Sequence, residues 1–429
     1  METIVLADGI RLHHFKEERF KSEYLSANLI CPPVVTHGAH SVLLSSLMGQ
    51  SNARYPKNAA FSRALETAYN TSFSAKMFRI GETRIHPFAV SWLSERYVQD
   101  GFRTMDFALD FMATTLFEPH LEKGVFPNGE LQKQIKNRID DLAAEKNNKQ
   151  RYALKQCVRE LCKGEPFAIP LGSTVKDLQQ VSPDSLYEYY CNLLKKAPVE
   201  FYYFGRTPAE ELKERLLGLF EPLFTPKDSP AKELVSRPKD IPSVITEEAA
   251  VSQSTLCIGF KTDVTLPHPL HPAQVVMKEI LSDSPVSLLF TNVREKESLC
   301  YYCSALSESG KGLFVISCGI DRKNTERAKE AIMEQVDAMK KGMFPEDLLQ
   351  LAKKSLISSY KDLYDSPAYL EAWYLRRNLF GMWDSPADMA KKIEKVTRDE
   401  IVACAQSLVV DTVYLLEGQK GGERDDAIF

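Results

Sequence analysis

The tract Lys123-Gly124-Val125-Phe126-Pro127, followed by the charged amphipathic run GELQKQIKNRIDDLAAEK, returns as Lys341-Gly342-Met343-Phe344-Pro345 followed by EDLLQLAKKSLISSYKDLY. Phe126 thus corresponds to Phe344, an offset of 344 minus 126, or 218 positions. A second landmark, Val181-Ser182-Pro183-Asp184-Ser185-Leu186, pairs with Val396-Thr397-Arg398-Asp399-Glu400-Ile401 at an offset of 215, and each places a Ser or Thr where it can cap a helix. After each of these helices comes an apolar strand ending in glycine, Val199 to Gly205 and Thr412 to Gly418. Any one match is within reach of chance, because amphipathic helices resemble one another. Three in the same order at nearly constant offset predict an internal duplication and two homologous domains.

A chain of 429 residues also exceeds what one hydrophobic core serves, since cores stop growing at roughly 250–300 residues. Both helical and strand patterns occur in the first half. Ser41 to Met48 is an apolar helical run, Glu82 to Leu93 alternates like a strand, and Gly101 to Thr115 has helical i, i+3, i+4 spacing. The expected class is α+β, each domain an antiparallel-rich sheet packed with helices. The stretch TPKDSPAKELVSRPKDIPSV, Thr225 to Val244, is rich in Pro and charge without periodicity, and reads as a linker. The expected domains are therefore 1–224 and 245–429, joined by 225–244.

Composition narrows the function classes. Hydrophobic residues make up 44% and charged residues 26%, which fits an ordinary folded chain. The 54 basic and 58 acidic side chains are interspersed, with no stripe to track phosphates, so no nucleic-acid partner is expected. No run of about 18 apolar residues and no secretion signal occur, which predicts a cytoplasmic protein with no membrane partner.

Nine cysteines, an odd number at irregular spacing, suit reduced thiols. In Cys300-Tyr-Tyr-Cys303 the two sulfurs are expected to diverge, because positions three apart on a strand face opposite sides. His37-Gly-Ala-His40 has helical spacing, but Gly38 and the preceding Pro32-Pro33 place it in a loop or at a frayed helix start. His268 and His271 lie between prolines and read as surface residues, while His86 and His120 stand isolated. There is no phosphate loop, dinucleotide fingerprint or nucleophile elbow.

The duplicated α+β unit, with an apolar helix followed by Ala53-Arg54-Tyr55-Pro56, resembles the insulinase/pitrilysin family of zinc metallopeptidases, the inverzincins. VREKESLCYY carries the most specific signal, with Arg294 and Tyr301 seven residues apart. The resemblance implies a clamshell of two domains in which this Arg and Tyr hold the substrate backbone and stabilise the oxyanion. Chemically the pair suits that task, since a guanidinium presents a rigid donor fork and a phenol can donate to developing charge. The plainer alternatives are a solvated arginine and a half-buried strand tyrosine.

Active members carry His-x-x-Glu-His on a helix, where two imidazoles bind zinc and the Glu activates water. Anchored on Arg54-Tyr55-Pro56, those positions fall on Val42, Ser45 and Ser46, and the further acidic ligand falls at or near Asn137. The resemblance is therefore to a non-catalytic member, closest to the bacterial subgroup associated with elongation factor P modification. It implies no metal in this chain, zinc in a homologous partner subunit, and a heterodimer that processes peptides or small proteins. By this expectation the chain is inactive alone. The other reading is a non-enzymatic scaffold or peptide-binding protein of the same fold.

Overall fold

The structure is a computed structural model of the chain and describes residues 1–31, 37–171, 173–228, 237–251 and 253–418. Pro32, Pro33 and residues 229–236 of the expected linker lie outside the described residues.

The strands form two sheets. The first contains β1 (Glu2–Ala7), β2 (Ile10–Lys16), β3 (Ser22–Cys31), β4 (Ser72–Ala75), β5 (Phe78–Ile80), β6 (Thr83–Leu93) and β7 (Val199–Gly205), in the order β1-β2-β7-β3-β6-β4 with β5 also on β6. The second contains β8 (Ser243–Ala249), β9 (Ser254–Lys261), β10 (Cys300–Glu308), β11 (Leu313–Ile320) and β12 (Val409–Gly418), in the order β10-β11-β9-β12-β8. Read from its other edge, the second sheet runs β8-β12-β9-β11-β10 and repeats the path β2-β7-β3-β6-β4 of the first. In each sheet the domain's last strand pairs in parallel with an early one, β7 with β2 and β12 with β8. Mixed helices and sheets of this kind are the α+β class read from the sequence.

The sequence landmarks occupy equivalent places. Ser182 caps the helix Pro183–Lys196 and Thr397 caps Arg398–Gln406, each through a reciprocal capping box. Phe126 and Phe344 are both buried. The glycines before them, Gly124 and Gly342, have φ of 85° and 70°, a left-handed turn that costs L-residues roughly 1–2 kcal/mol. A Cβ at Gly342 would also meet Val402 Cγ2 at 3.2 Å. Gly342→Ala is therefore expected to destabilise the protein by about 1–2 kcal/mol, read as a lower melting temperature; an unchanged one would contradict this account of the turn.

The chain divides into two compact units, but not into two consecutive halves. Unit 1 comprises Met1–Leu142 and Ile169–Lys232, and unit 2 comprises Ala143–Ala168 and Glu233–Phe429. The sequence placed the single boundary at 225–244; the difference is the helix Lys149–Leu161, which belongs with unit 2. The reason is strand alternation. On β9, Leu256, Ile258 and Phe260 enter one core with Phe314, Ile316 and Val413, whereas Cys257 faces the other way with Leu313, Val315, Tyr414 and Leu416. That second face is covered by Ala153, Cys157 and Leu161 of the helix. Gly259 makes the approach possible, since a Cβ there would stand 3.2 Å from Leu161 Cδ1 and 3.3 Å from Cys157 Sγ.

In unit 1, Leu25, Ala27 and Leu29 of β3 and Val199, Phe201 and Tyr203 of β7 pack with Leu43, Leu44 and Leu47 of the helix Gly38–Met48. No helix among the described residues is long and apolar enough to cross a membrane.

Candidate functional site

Val42, Ser45 and Ser46, the positions matched to the family's zinc motif, lie on the helix Gly38–Met48, whose apolar residues fix it against the first sheet. Val42 packs against the core. The Ser45 hydroxyl donates to the Lys76 carbonyl oxygen at 2.9 Å and lies 3.1 Å from His86 Nδ1. The Ser46 hydroxyl donates back to the Val42 carbonyl at 2.9 Å. Asn137 is on the exposed side of the helix Asn128–Glu145. The buried amide of that helix is instead Gln134, whose Nε2 donates to Gln50 Oε1 at 3.3 Å. An isopropyl group, two hydroxyls already engaged and an amide do not fit a zinc ion, which takes thiolate, imidazole or carboxylate ligands.

A hydrogen-bond chain that the sequence did not reveal lies behind this helix. Tyr189 Oη is 3.0 Å from His86 Nε2 and 2.7 Å from Ser41 Oγ. Because Ser45 donates to Lys76, it accepts from His86 Nδ1–H, which leaves Nε2 to accept from Tyr189; the network thus assigns a neutral imidazole. Burial, helped by the charge of Arg84, pushes His86 from its ordinary 6.5 down to about 3. Its folded pKa lies below its unfolded one, so between those values the unfolded chain binds more protons and stability rises with pH. His86 therefore contributes stability that is complete above about pH 6.5 and is lost on acidification toward about pH 3, at no more than about 1.4 kcal/mol per pH unit. His86→Gln is expected to flatten that slope in denaturation curves; an unaltered slope would contradict the assignment.

His37 and His40 flank the start of the same helix with ring centroids 5.7 Å apart. They line a cavity of about 370 Å³ with Cys31, Arg84, Tyr189 and Lys196. Burial lowers both imidazoles from their ordinary value. Among the described residues no group of three His, Cys, Asp or Glu is placed to hold a metal ion. His120 Nδ1 stands 3.5 Å from Glu130 Oε1. His271 departs from its expected surface position. It opens the helix His271–Lys278, is buried, and lies 3.3 Å from Ser309 Oγ, because the proline after it starts a helix rather than an extended loop.

In unit 2, Arg294 lies in the π-helical turn Leu289–Lys296, exposed, with its guanidinium 5.0 Å from the Phe290 ring centroid. Tyr301 is 52% exposed and its hydroxyl donates to Asp321 Oδ1 at 3.2 Å. A β-bulge sets that exposure. Cys300 pairs with Ile320 and Tyr302 with Gly319, so Tyr301 is the inserted residue. Bulges of this kind re-aim a side chain. The charge of Arg294 also acts on Cys300, the residue before Tyr301.

The bulge also corrects the expectation for Cys300 and Cys303. Uninterrupted period-2 alternation would separate their sulfurs, but the inserted Tyr301 restores Cys300 to the face of Cys303, which stands opposite Cys318. The sequence alone carried no sign of the insertion.

Residues 180–356 match the family model for the peptidase M16 inactive domain. The chain is 28% identical over 424 residues to the probable inactive metalloprotease YmfF of Bacillus subtilis strain 168, spanning 96% of this chain and 97% of that protein. The chain is a homologue of the M16 metallopeptidases. The M16 assignment agrees with the resemblance carried by Arg54-Tyr55-Pro56 and VREKESLCYY, and the sequence contains no His-x-x-Glu-His. Solved structures repeat its fold. A conserved protein from Enterococcus faecalis V583 superposes with a TM-score of 0.92 at 25% identity, covering 98% of this chain and 99% of that one. A peptidase M16 inactive domain from Pseudomonas fluorescens gives 0.83 at 16% identity over 99% of both chains. A protease from Helicobacter pylori gives 0.79 at 12%, over 97% and 99%.

Proposed function

We propose that this M16 homologue is the subunit without zinc in a heterodimeric processing peptidase, and that it lends Arg294 and Tyr301 to the metal site of a homologous partner. One observation carries the reading: the bulge in β10 turns Tyr301 out to solvent and Arg294 is exposed as well, while the helix Gly38–Met48 presents Val42, Ser45 and Ser46 where the family's ligands would stand. A scaffold protein has no chemical use for an exposed guanidinium and an exposed phenol at this spacing. In the complex, the guanidinium fork of Arg294 donates to peptide carbonyl oxygens and the Tyr301 hydroxyl, released from Asp321, donates to the oxyanion. The partner binds zinc and activates water. The substrate is a peptide or small protein, the location cytoplasmic, and the context that of the bacterial subgroup associated with elongation factor P modification.

Co-expression with a homologue that carries His-x-x-Glu-His tests this. A stable complex that cleaves peptides, when neither chain does so alone, is the expected result. If no zinc-motif homologue forms a complex with the chain, and the chain binds peptides unaided without cleaving them, the scaffold reading replaces this one.

A further inference from the structure

One cation in unit 1 is buried without a counter-charge. Strand alternation puts Arg84 on the face of β6 that also carries His86 and Phe88, and the β3–β6 register sets it opposite Cys31. It is 7% exposed. Charged side chains are almost never buried this far unless they are paired. Among the described residues the other buried cations obey that rule: Lys311 and Lys261 lie 2.7 and 3.6 Å from the Glu165 carboxylate, and Arg377 lies 3.0 Å from Asp384 Oδ1. Arg84 forms no ion pair and no side-chain hydrogen bond with any described residue. Burial lowers its pKa from the ordinary arginine value, and the groups that act the other way are the Tyr189 phenol and the Cys31 thiol rather than a carboxylate. Burial pushes Cys31 up to about 12 and raises Tyr189 as well, so both are neutral. The guanidinium itself stays charged.

Arg84 opens onto the cavity of about 370 Å³ that His37 and His40 also line, a volume within the range of small-molecule sites. The end of the helix Pro183–Lys196 gives this cavity an apolar wall of Tyr189, Leu193 and Ala197. The first turn of the helix Gly38–Met48 borders it with no side-chain cap and no acidic residue, so the positive end of that helix adds to the field of Arg84. Lys196 supplies a second, exposed cation. The two carboxylates of the lining, Glu188 and Asp228, are exposed; Glu188 acts on His37 and His40, and neither carboxylate pairs with Arg84.

We propose that this cavity binds a small organic carboxylate, with its two oxygens on the guanidinium fork of Arg84 and its apolar body against Tyr189, Leu193 and Ala197. The carboxylate completes the ion pair that the fold leaves open, and a planar fork matches it in bidentate fashion. Glu188 and Asp228 select against a doubly charged phosphate, because like charges brought together are costly. Every residue named belongs to unit 1, so the site needs neither zinc nor a partner and stands apart from the peptidase reading.

The full-length chain is tested with benzoate, with benzamide as the uncharged molecule of the same shape, and with inorganic phosphate. Benzoate is expected to bind saturably in saturation-transfer NMR, to shift the ring resonances of His37 and His40, and to raise the melting temperature by mass action. Benzamide and phosphate are expected to do none of these. Arg84→Met should weaken benzoate binding at least about tenfold through loss of the charge-assisted hydrogen bonds. Arg84→Lys should restore only part of it, since an ammonium keeps the charge without the fork. Without ligand, Arg84→Met should melt no lower than the parent chain, because it removes a buried charge that has no partner. Absence of benzoate binding, equal binding of benzamide, preference for phosphate, or undiminished binding in Arg84→Met would each overturn the proposal. A clearly lower melting temperature of the unligated variant would overturn it too, by making Arg84 a structural side chain.

Discussion

Tyr301→Phe should slow peptide cleavage by the reconstituted pair about 100-fold or more, with the loss falling mainly on kcat. Removing one oxyanion donor costs about 2.7–4 kcal/mol of barrier, and the phenol contributes only when charge appears on the tetrahedral oxygen. Tyr301 is the inserted residue of the bulge and is 52% exposed, so removing its hydroxyl leaves the core of unit 2 untouched. Its ground-state hydrogen bond, to Asp321 at 3.2 Å, is a surface contact whose loss is minor for stability. Arg294→Ala should weaken the same reaction through KM as well, and Arg294→Lys should rescue it poorly, because an ammonium does not reproduce a planar fork. Steady-state kinetics on the complex, with melting curves of each variant, separate these effects from misfolding. Rates unchanged in both variants would remove Arg294 and Tyr301 from the site.

The second large effect concerns stability. Glu165→Ala should destabilise unit 2 by about 3–5 kcal/mol. Lys311 Nζ lies 2.7 Å from Glu165 Oε2 with its side chain 0% exposed, and Lys261 Nζ lies 3.6 Å from Oε1. Taking away the carboxylate strands buried positive charge, which costs far more than a surface ion pair contributes. Glu165 belongs to the segment Ala143–Ala168, so the substitution also tests whether that segment is integral to unit 2. Hydrogen exchange should lose protection in β9 and β11 while β3 and β7 keep theirs. Adding Lys311→Met should recover much of the loss, because a buried pair replaced by apolar groups is often near neutral. Equal protection in the variant and the parent chain would contradict both points.

How far the sequence revealed these features depends on how local their causes are. The repeated tract at Phe126 and Phe344 announces a turn that needs a left-handed glycine, and the capped helices at Ser182 and Thr397 carry their own start signals, so the α+β duplication was readable. Val42, Ser45 and Ser46 are assigned to the motif positions by their short spacing from Arg54-Tyr55-Pro56. Helix Lys149–Leu161 was not assigned to unit 2, since only contacts remote in sequence, with Cys257 and Val315, decide where its apolar stripe docks.

His86 offered a signal that went unused. It shares the parity of Phe88, Val90 and Trp92 on β6, which places it on the core face. The bulge at Tyr301 had no such signal. One extra residue shifts the face of everything before it, and nothing in CYYC marks the insertion.

The most direct test of the account is the zinc content of this chain purified alone, dialysed after exposure to excess zinc, and measured again after assembly with a zinc-motif partner. The account predicts no retained zinc in the isolated chain and one equivalent per complex, bound by the partner. Stoichiometric zinc in the isolated chain, with hydrolysis to match, would contradict it.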